Sequence, residues 1–241
     1  MVKELLEARS TSRFLTPRGL GLGEAYELGA QLRRALVGQG HRMVGRKLGF
    51  TNQSIWPELG LTEPIWAPIY DTTVSFQNER HSLDGAVGPR IELEVVLKLS
   101  SVNPLSFEWA ALGYEIVQCH YPDWEFSCAD AVADFGLHRA LHIGEPLKDS
   151  AQLERLQVSL SRNGEVVARG EGKSVLGGPL RAIDRLVRIL DKQPDEPRLG
   201  AGEIVTTGSM TGAIPVAAGE LWTSEVTSGP SLAGLSLTFT D

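Results

Sequence analysis

Cysteine is scarce: the 241 residues hold two, Cys119 and Cys128, in a stretch without metal-ligand spacing. That points away from a disulfide framework or a zinc site and towards buried thiols. No run of about 18 apolar residues occurs, so no helix of the length that spans a membrane is expected. The segment from Met1 to Arg18 is too polar for a signal peptide, and a cytoplasmic protein is the expectation. Basic residues are outnumbered, with 23 Lys and Arg against 30 Asp and Glu and a net charge of -7. This argues against nucleic acid as a partner, while a small anion that reads local charge stays open. Internal repeats, low-complexity tracts and flexible interdomain linkers are missing too. With 42% hydrophobic and 22% charged residues, the chain can bury a sizeable core as one domain with a small appendage.

What is present begins with the run Arg90-Ile91-Glu92-Leu93-Glu94-Val95-Val96-Leu97. Its period of two sets Glu92 and Glu94 side by side on one face of a strand, with Ile91, Leu93, Val95, Leu97 and Leu99 on the other. Carboxylates that close repel each other, so either the face is wet or a cation lies between them. Downstream, Ala110 to Val117 reads as an apolar strand carrying Glu115, a charge that needs a partner or solvent at a strand end. Joined to Glu92 and Glu94, Glu115 would complete an all-oxygen site suited to Mg2+ or Mn2+, with positions left for water and substrate.

Ala25, Leu28, Leu32 and Leu36 recur at helical spacing and end on Gly38-Gln39-Gly40, which makes residues 1–44 a small helical cap. Residues 45–241 turn rich in strand signals, including the hairpin dipeptide Asn163-Gly164. A second amphipathic helix, Leu180 to Leu190, follows Gly177-Gly178-Pro179. The fold class expected is α+β, mostly β and without alternating βαβ units.

Several motifs in order resemble the fumarylacetoacetate hydrolase family, on its 2-oxopent-4-enoate hydratase and oxalocrotonate decarboxylase branch. They are Gly45-Arg46-Lys47-Leu48-Gly49-Phe50-Thr51, Pro89-Arg90-Ile91-Glu92-Leu93-Glu94, Tyr114-Glu115-Ile116-Val117, Asp123-Trp124 and Val132-Ala133-Asp134. Gly177-Gly178-Pro179-Leu180 and the run Thr206 to Val216 complete the series. The resemblance implies a β-roll catalytic domain whose metal ligands are Glu92, Glu94 and Glu115. It implies an active-site role for Lys47, beside an enolate that the metal stabilises as Lewis acid. Substrate contacts are expected from Thr51, Asn52, Trp56, Trp66, Thr207, Gly208 and Ser209.

One position departs from the hydratases. Where they carry an acid after a proline, Glu63-Pro64-Ile65-Trp66 places Ile65, which transfers no proton. That loss favours a carbon-carbon hydrolase of an acylpyruvate, of the maleylpyruvate or fumarylpyruvate type, releasing pyruvate in aromatic-compound catabolism. Glu58 is then the candidate for activating water, either alone or with His41 or His120 approaching from elsewhere in the chain. A 2-hydroxydienoate hydratase or an oxalocrotonate-type decarboxylase is the alternative, and a noncatalytic 2-oxo acid binder the third reading. The partners expected are a small anionic 2-oxo acid and further copies of the chain, as a homodimer or larger homo-oligomer.

Overall fold

The computed structural model describes residues 1–148 and 151–241. Helices α1 (Val2–Thr11) and α2 (Leu22–Gly38) come first, followed by strand β1 (Met43–Gly49), the short helix α3 (Trp56–Leu59) and β2 (Ile65–Tyr70). Strands β3 (Val74–Phe76), β4 (Arg80–Ser82), β5 (Arg90–Val102) and β6 (Leu105–Val117) lead to helix α4 (Cys128–Ala133) and β7 (His138–Ile143). Then come β8 (Gln157–Arg162), β9 (Glu165–Glu171) and helix α5 (Pro179–Asp191). The chain closes with β10 (Ile204–Ser209), β11 (Ile214–Pro215), β12 (Leu221–Ser228) and β13 (Ser236–Thr240).

The strands form two sheets. The larger has the order β2-β1-β10-β5-β6-β7-β3, with β11 paired to β5; the smaller runs β4-β13-β12-β8-β9. The chain is thus mostly β, with a curled main sheet and helices ahead of the first strand, in agreement with the sequence. Asn163 and Gly164 both have positive φ, 51° and 86°, the backbone a two-residue hairpin between β8 and β9 requires.

The strand β5 explains where chemistry ends up. Its Ile91, Leu93, Val95, Leu97 and Leu99 are fully buried in a core shared with Leu160, Ile183, Leu186, Trp222 and Phe239. The opposite face cannot take those positions, because successive side chains alternate across the sheet. A second cluster lies elsewhere, where Leu28 and Leu32 of α2 and Leu5 of α1 meet Ile65, Val117, Val132 and Phe135. Of the β5 carboxylates, Glu94 is wholly buried and Glu92 partly so.

Strands β2, β4, β7 and β11 were not legible beforehand. All six residues of β2 are buried, so no alternation marks it, and Pro68 interrupts it. Strand β7 carries His138, Arg139 and His142 among its six residues, a polar composition for a strand so buried. Both cysteines are free and buried, as the lack of ligand spacing implied. Among the described residues no helix is long and apolar enough to cross a membrane.

Candidate metal centre and active site

Register brings the three glutamates together. In the β5–β6 ladder Glu92 stands directly opposite Glu115, and Glu94 stands opposite Gly113. One carboxylate oxygen from each of Glu92, Glu94 and Glu115 lies within 4.8 Å of the others. Glu94 and Glu115 are wholly buried. The wet-face reading therefore does not describe Glu94 and Glu115, while Glu92 is partly buried.

Its electrostatics are those of anions short of a counter-charge. Burial, and then Glu115 and Glu92, push the Glu94 carboxyl well above the ordinary range. Burial raises Glu92 to about 7, with Lys47 working against it and Glu115 adding to it. Burial acts to raise Glu115 as well, but Lys47 and His138 outweigh it and hold the group below its usual value. Glu94 Oε1 has no hydrogen-bond partner among the described residues. A buried carboxylate oxygen left this way is costly unless a cation meets it, and three carboxylates converging on one point form a hard-ion donor set. The residues present fit a divalent metal.

Lys47 reaches the cluster from β1. Its Nζ donates to Gly136 O at 2.9 Å and lies 3.2 Å from Glu115 Oε2. Burial works to lower its pKa, yet Glu115, Glu92 and Glu94 together raise it, so the side chain is an ammonium. Pairing of β1 with β2 sets Ala67 opposite Lys47 and Ile65 opposite Gly49, which places both on the lysine's face. A methyl built on Gly49 would sit 3.0 Å from Ile65 Cγ1 and 3.7 Å from Lys47 Nζ. Ile65 and the ammonium thus border the same space over Gly49.

The same parity sends Trp66 away. It stands opposite Leu48, stacks on Tyr26 and donates through Nε1 to Gln193 Oε1, on the other face of the sheet. Trp66 is not brought to the cluster. Asn52 accepts from Ser54 N and so caps its own turn, and Trp56 Nε1 donates to Phe50 O. Glu58 is exposed on α3 and makes no hydrogen bond or ion pair among the described residues. His41 lies against Thr72 Oγ1, and His120 is buried on Asp134 at 2.7 Å, so neither accompanies Glu58.

The β10 end does approach the cluster. Gly208 N donates to Glu94 Oε2 at 2.9 Å, and Thr207 Oγ1 donates to Val95 O at 3.0 Å. Gly208 has φ of 109°, and a Cβ there would fall 2.1 Å from Thr51 Oγ1, so only glycine allows this approach. Ser209 Oγ accepts from Gly212 N at 3.0 Å, holding the turn beyond.

One functional neighbour was missed from sequence. His138 is buried with its Nδ1 2.7 Å from Glu115 Oε1, and since an ionised carboxylate only accepts, the ring donates there. Its Nε2 lies 3.0 Å from Thr73 Oγ1, and Arg9 Nη2 donates to His138 O at 3.0 Å. Nothing in the local pattern around His138 signals this, because a register shift in the β6–β7 ladder sets the neighbour.

No family model matches the sequence. Among curated proteins it is similar to a 4-oxalocrotonate decarboxylase of Pseudomonas sp, 28% identical over 234 residues that cover 90% of each chain. A 2-keto-4-pentenoate hydratase of Paraburkholderia phymatum is 26% identical over 249 residues, 94% of this chain and 92% of the relative. Among solved structures, 4-oxalocrotonate decarboxylase from Pseudomonas putida G7, complexed with magnesium and adipate, matches at TM-score 0.91 and 22% identity. That match covers 99% of this chain and 95% of the other. Fumarylpyruvate hydrolase from Pseudomonas aeruginosa, in complex with Mn2+ and pyruvate, matches at 0.59 and 16%, over 83% and 89%. The sequence relatives named here are a decarboxylase and a hydratase, and the hydrolase stands at the distance of a shared fold.

Proposed function

The chain belongs to the fumarylacetoacetate hydrolase family, on its hydratase and decarboxylase branch, and from that premise we propose a divalent-metal-dependent lyase acting on a 2-oxo acid. Within that class the reading we favour is a decarboxylase of a 2-oxo-enedioate, the oxalocrotonate type, in which the departing carboxylate is carried on a saturated carbon next to a double bond conjugated to the 2-oxo group. The observation that carries the choice is Ile65 on the sheet face of Lys47, across the space over Gly49. Hydration needs a group there that moves protons to and from water, whereas loss of CO2 needs no water at the reacting carbon and suits an aliphatic wall.

Glu92, Glu94 and Glu115 would hold the metal, with Gly208 N–H and His138 fixing the carboxylates of Glu94 and Glu115. The bound ion supplies Lewis acidity to a 2-oxo acid's carbonyl and adjoining carboxylate. In the reaction the bond to the departing carboxyl carbon breaks, CO2 leaves, and its electron pair moves through the double bond to the 2-oxo oxygen. Lys47, 3.2 Å from Glu115 Oε2, is the cation of this chain placed to offset that negative charge or give it a proton. Gly136 O and Glu115 fix the ammonium, so its position is set before substrate arrives.

The acylpyruvate hydrolase reading ranks behind this one. It calls for a residue that activates water, and Glu58 stands exposed without a histidine beside it. The test is product analysis with Mg2+-loaded protein offered 2-oxohex-3-enedioate, a 2-hydroxydienoate and maleylpyruvate in parallel. CO2 from the first alone supports the decarboxylase. A hydrate of the dienoate as the sole product shifts the assignment to hydratase, and pyruvate from maleylpyruvate alone returns it to hydrolase.

A further inference from the structure

A cavity of about 410 Å3 lies beside β3, β4 and β7, lined by Arg9, Asn78, His81, Gln118, Arg139 and His142. Among the described residues no carboxylate belongs to its lining, although the chain as a whole carries a charge of -7. Arg9 Nη1, Arg139 Nε and His81 Nε2 are buried there without a hydrogen-bond partner among the described residues. The rest of each group is tied down. Arg9 Nη2 donates to His138 O; Arg139 Nη1 donates to Gln118 Oε1 at 2.9 Å and its Nη2 to Asp84 O at 2.6 Å. His81 Nδ1 meets His142 Nε2 at 2.9 Å, and His142 Nδ1 meets Ser75 Oγ at 2.8 Å. When the Ser75 hydroxyl donates into this relay, His142 donates to His81 and the His81 Nε2–H is the free donor.

We infer that this cavity is a binding site for a small oxyanion, a carboxylate or a phosphate group, separate from the glutamate cluster. Three buried donors left over around one space call for an acceptor-rich occupant, and a charged oxygen group satisfies them together where single waters would each meet one or two. A divalent cation does not suit the same space. It would find two imidazoles, no carboxylate and two guanidinium groups. The positive groups also act against one another: after burial, Arg9 lowers Arg139, and after burial His142 and Arg139 lower His81. Asp134 Oδ1 stands 4.0 Å from Arg9 Nη1, and Asp84 acts on Arg139, so two carboxylates outside the lining offset part of the charge. The volume accommodates a molecule of a few carbons. Thr73 lines the cavity as well as meeting His138, so an occupant would sit one side chain from the partner of Glu115.

The experiment is calorimetric titration of the Mg2+-loaded chain with succinate and, separately, with inorganic phosphate. The metal centre can take such anions too, so Glu94→Gln serves as the variant that removes that event. Expected is a saturable event kept in Glu94→Gln and weakened about tenfold or more in Arg139→Gln and His81→Leu, the loss of a charge-assisted or buried hydrogen bond. Both pocket variants are to match the wild type in circular dichroism and Mn2+ affinity. Saturation by succinate alone assigns a carboxylate ligand, by phosphate alone a phosphate ligand, and by both a general oxyanion site. Ring 15N signals of His81 and His142 supply a readout without substitution, and they are expected to shift on titration. No saturable event with either anion, an event untouched in both pocket variants, or unmoved ring signals overturns the inference.

Discussion

Replacing His138 tests how far the carboxylate cluster depends on what stands behind it. The ring is buried and donates to Glu115 Oε1 at 2.7 Å. In His138→Leu the donor is lost while the buried carboxylate remains, and a hydrogen bond to a charged group contributes about 1.5–3 kcal/mol. That converts to about 10- to 150-fold in an equilibrium constant, which overlaps the roughly 10- to 100-fold cost of losing a group that orients a metal ligand. Lys47 stays 3.2 Å from the other Glu115 oxygen, so the loss is expected at the lower part of this range, about 10- to 30-fold in Mn2+ affinity. The assay is calorimetric Mn2+ titration of wild type, His138→Leu and His138→Asn, with circular dichroism to confirm folding. Asparagine places an amide N–H near the position of the imidazole Nδ1, and it is expected to recover most of the affinity. A folded His138→Leu protein that binds Mn2+ within about twofold of wild type would refute the reasoning, since the hydrogen bond would then contribute nothing to the centre.

Three further outcomes follow from the same geometry. Ile65→Asp puts a carboxylate on the face of Lys47 and is expected to lower CO2 release and introduce hydration of a 2-hydroxydienoate, read by product analysis; unchanged products would separate Ile65 from reaction choice. Gly208→Ala forces a Cβ to 2.1 Å from Thr51 Oγ1 at a φ of 109° and displaces the N–H on Glu94, with an expected cost of about 1–3 kcal/mol in thermal unfolding and weaker Mn2+ binding. In metal-free protein Glu92 is raised to about 7 and Glu94 well above its ordinary value, so protons compete with the ion in mildly acid solution. Metal binding requires the ionised carboxylates, and the increase in melting temperature given by Mn2+ is therefore expected to grow from about pH 5 to about pH 7.5. An increment independent of pH over that range would contradict the assignment of those carboxyls.

The parts legible in sequence are those set by local pattern. Period-two alternation in β5 separates Glu92 and Glu94 from five core residues, and the structure places Ile91 and Leu93 in the core as that pattern demands. The apolar setting of Glu115 demanded a partner, and cross-strand pairing with Glu92 supplies the setting for one. What could not be read is set by register and parity across strands. Ile65 and Trp66 are adjacent in sequence, yet pairing with Gly49 and Leu48 sends one to the lysine's face and the other to the far side. His138 lies on a strand whose polar residues hid it, and its partner Glu115 is 23 positions away. The hydrolase expectation rested on the missing acid at position 65. That absence excludes one use of water without requiring another, and the decarboxylase and hydratase relatives shift the weight to a lyase.

The most direct measurement is Mn2+ stoichiometry taken alongside CO2 release from 2-oxohex-3-enedioate, in wild type and in Glu92→Gln, Glu94→Gln and Glu115→Gln. The account requires one Mn2+ per chain in the wild type, turnover that rises with its occupancy, and loss of both binding and CO2 release in folded variants. Full turnover in all three variants, or turnover in wild type that persists after the metal is removed, would contradict the claim that these carboxylates form the reaction's metal centre.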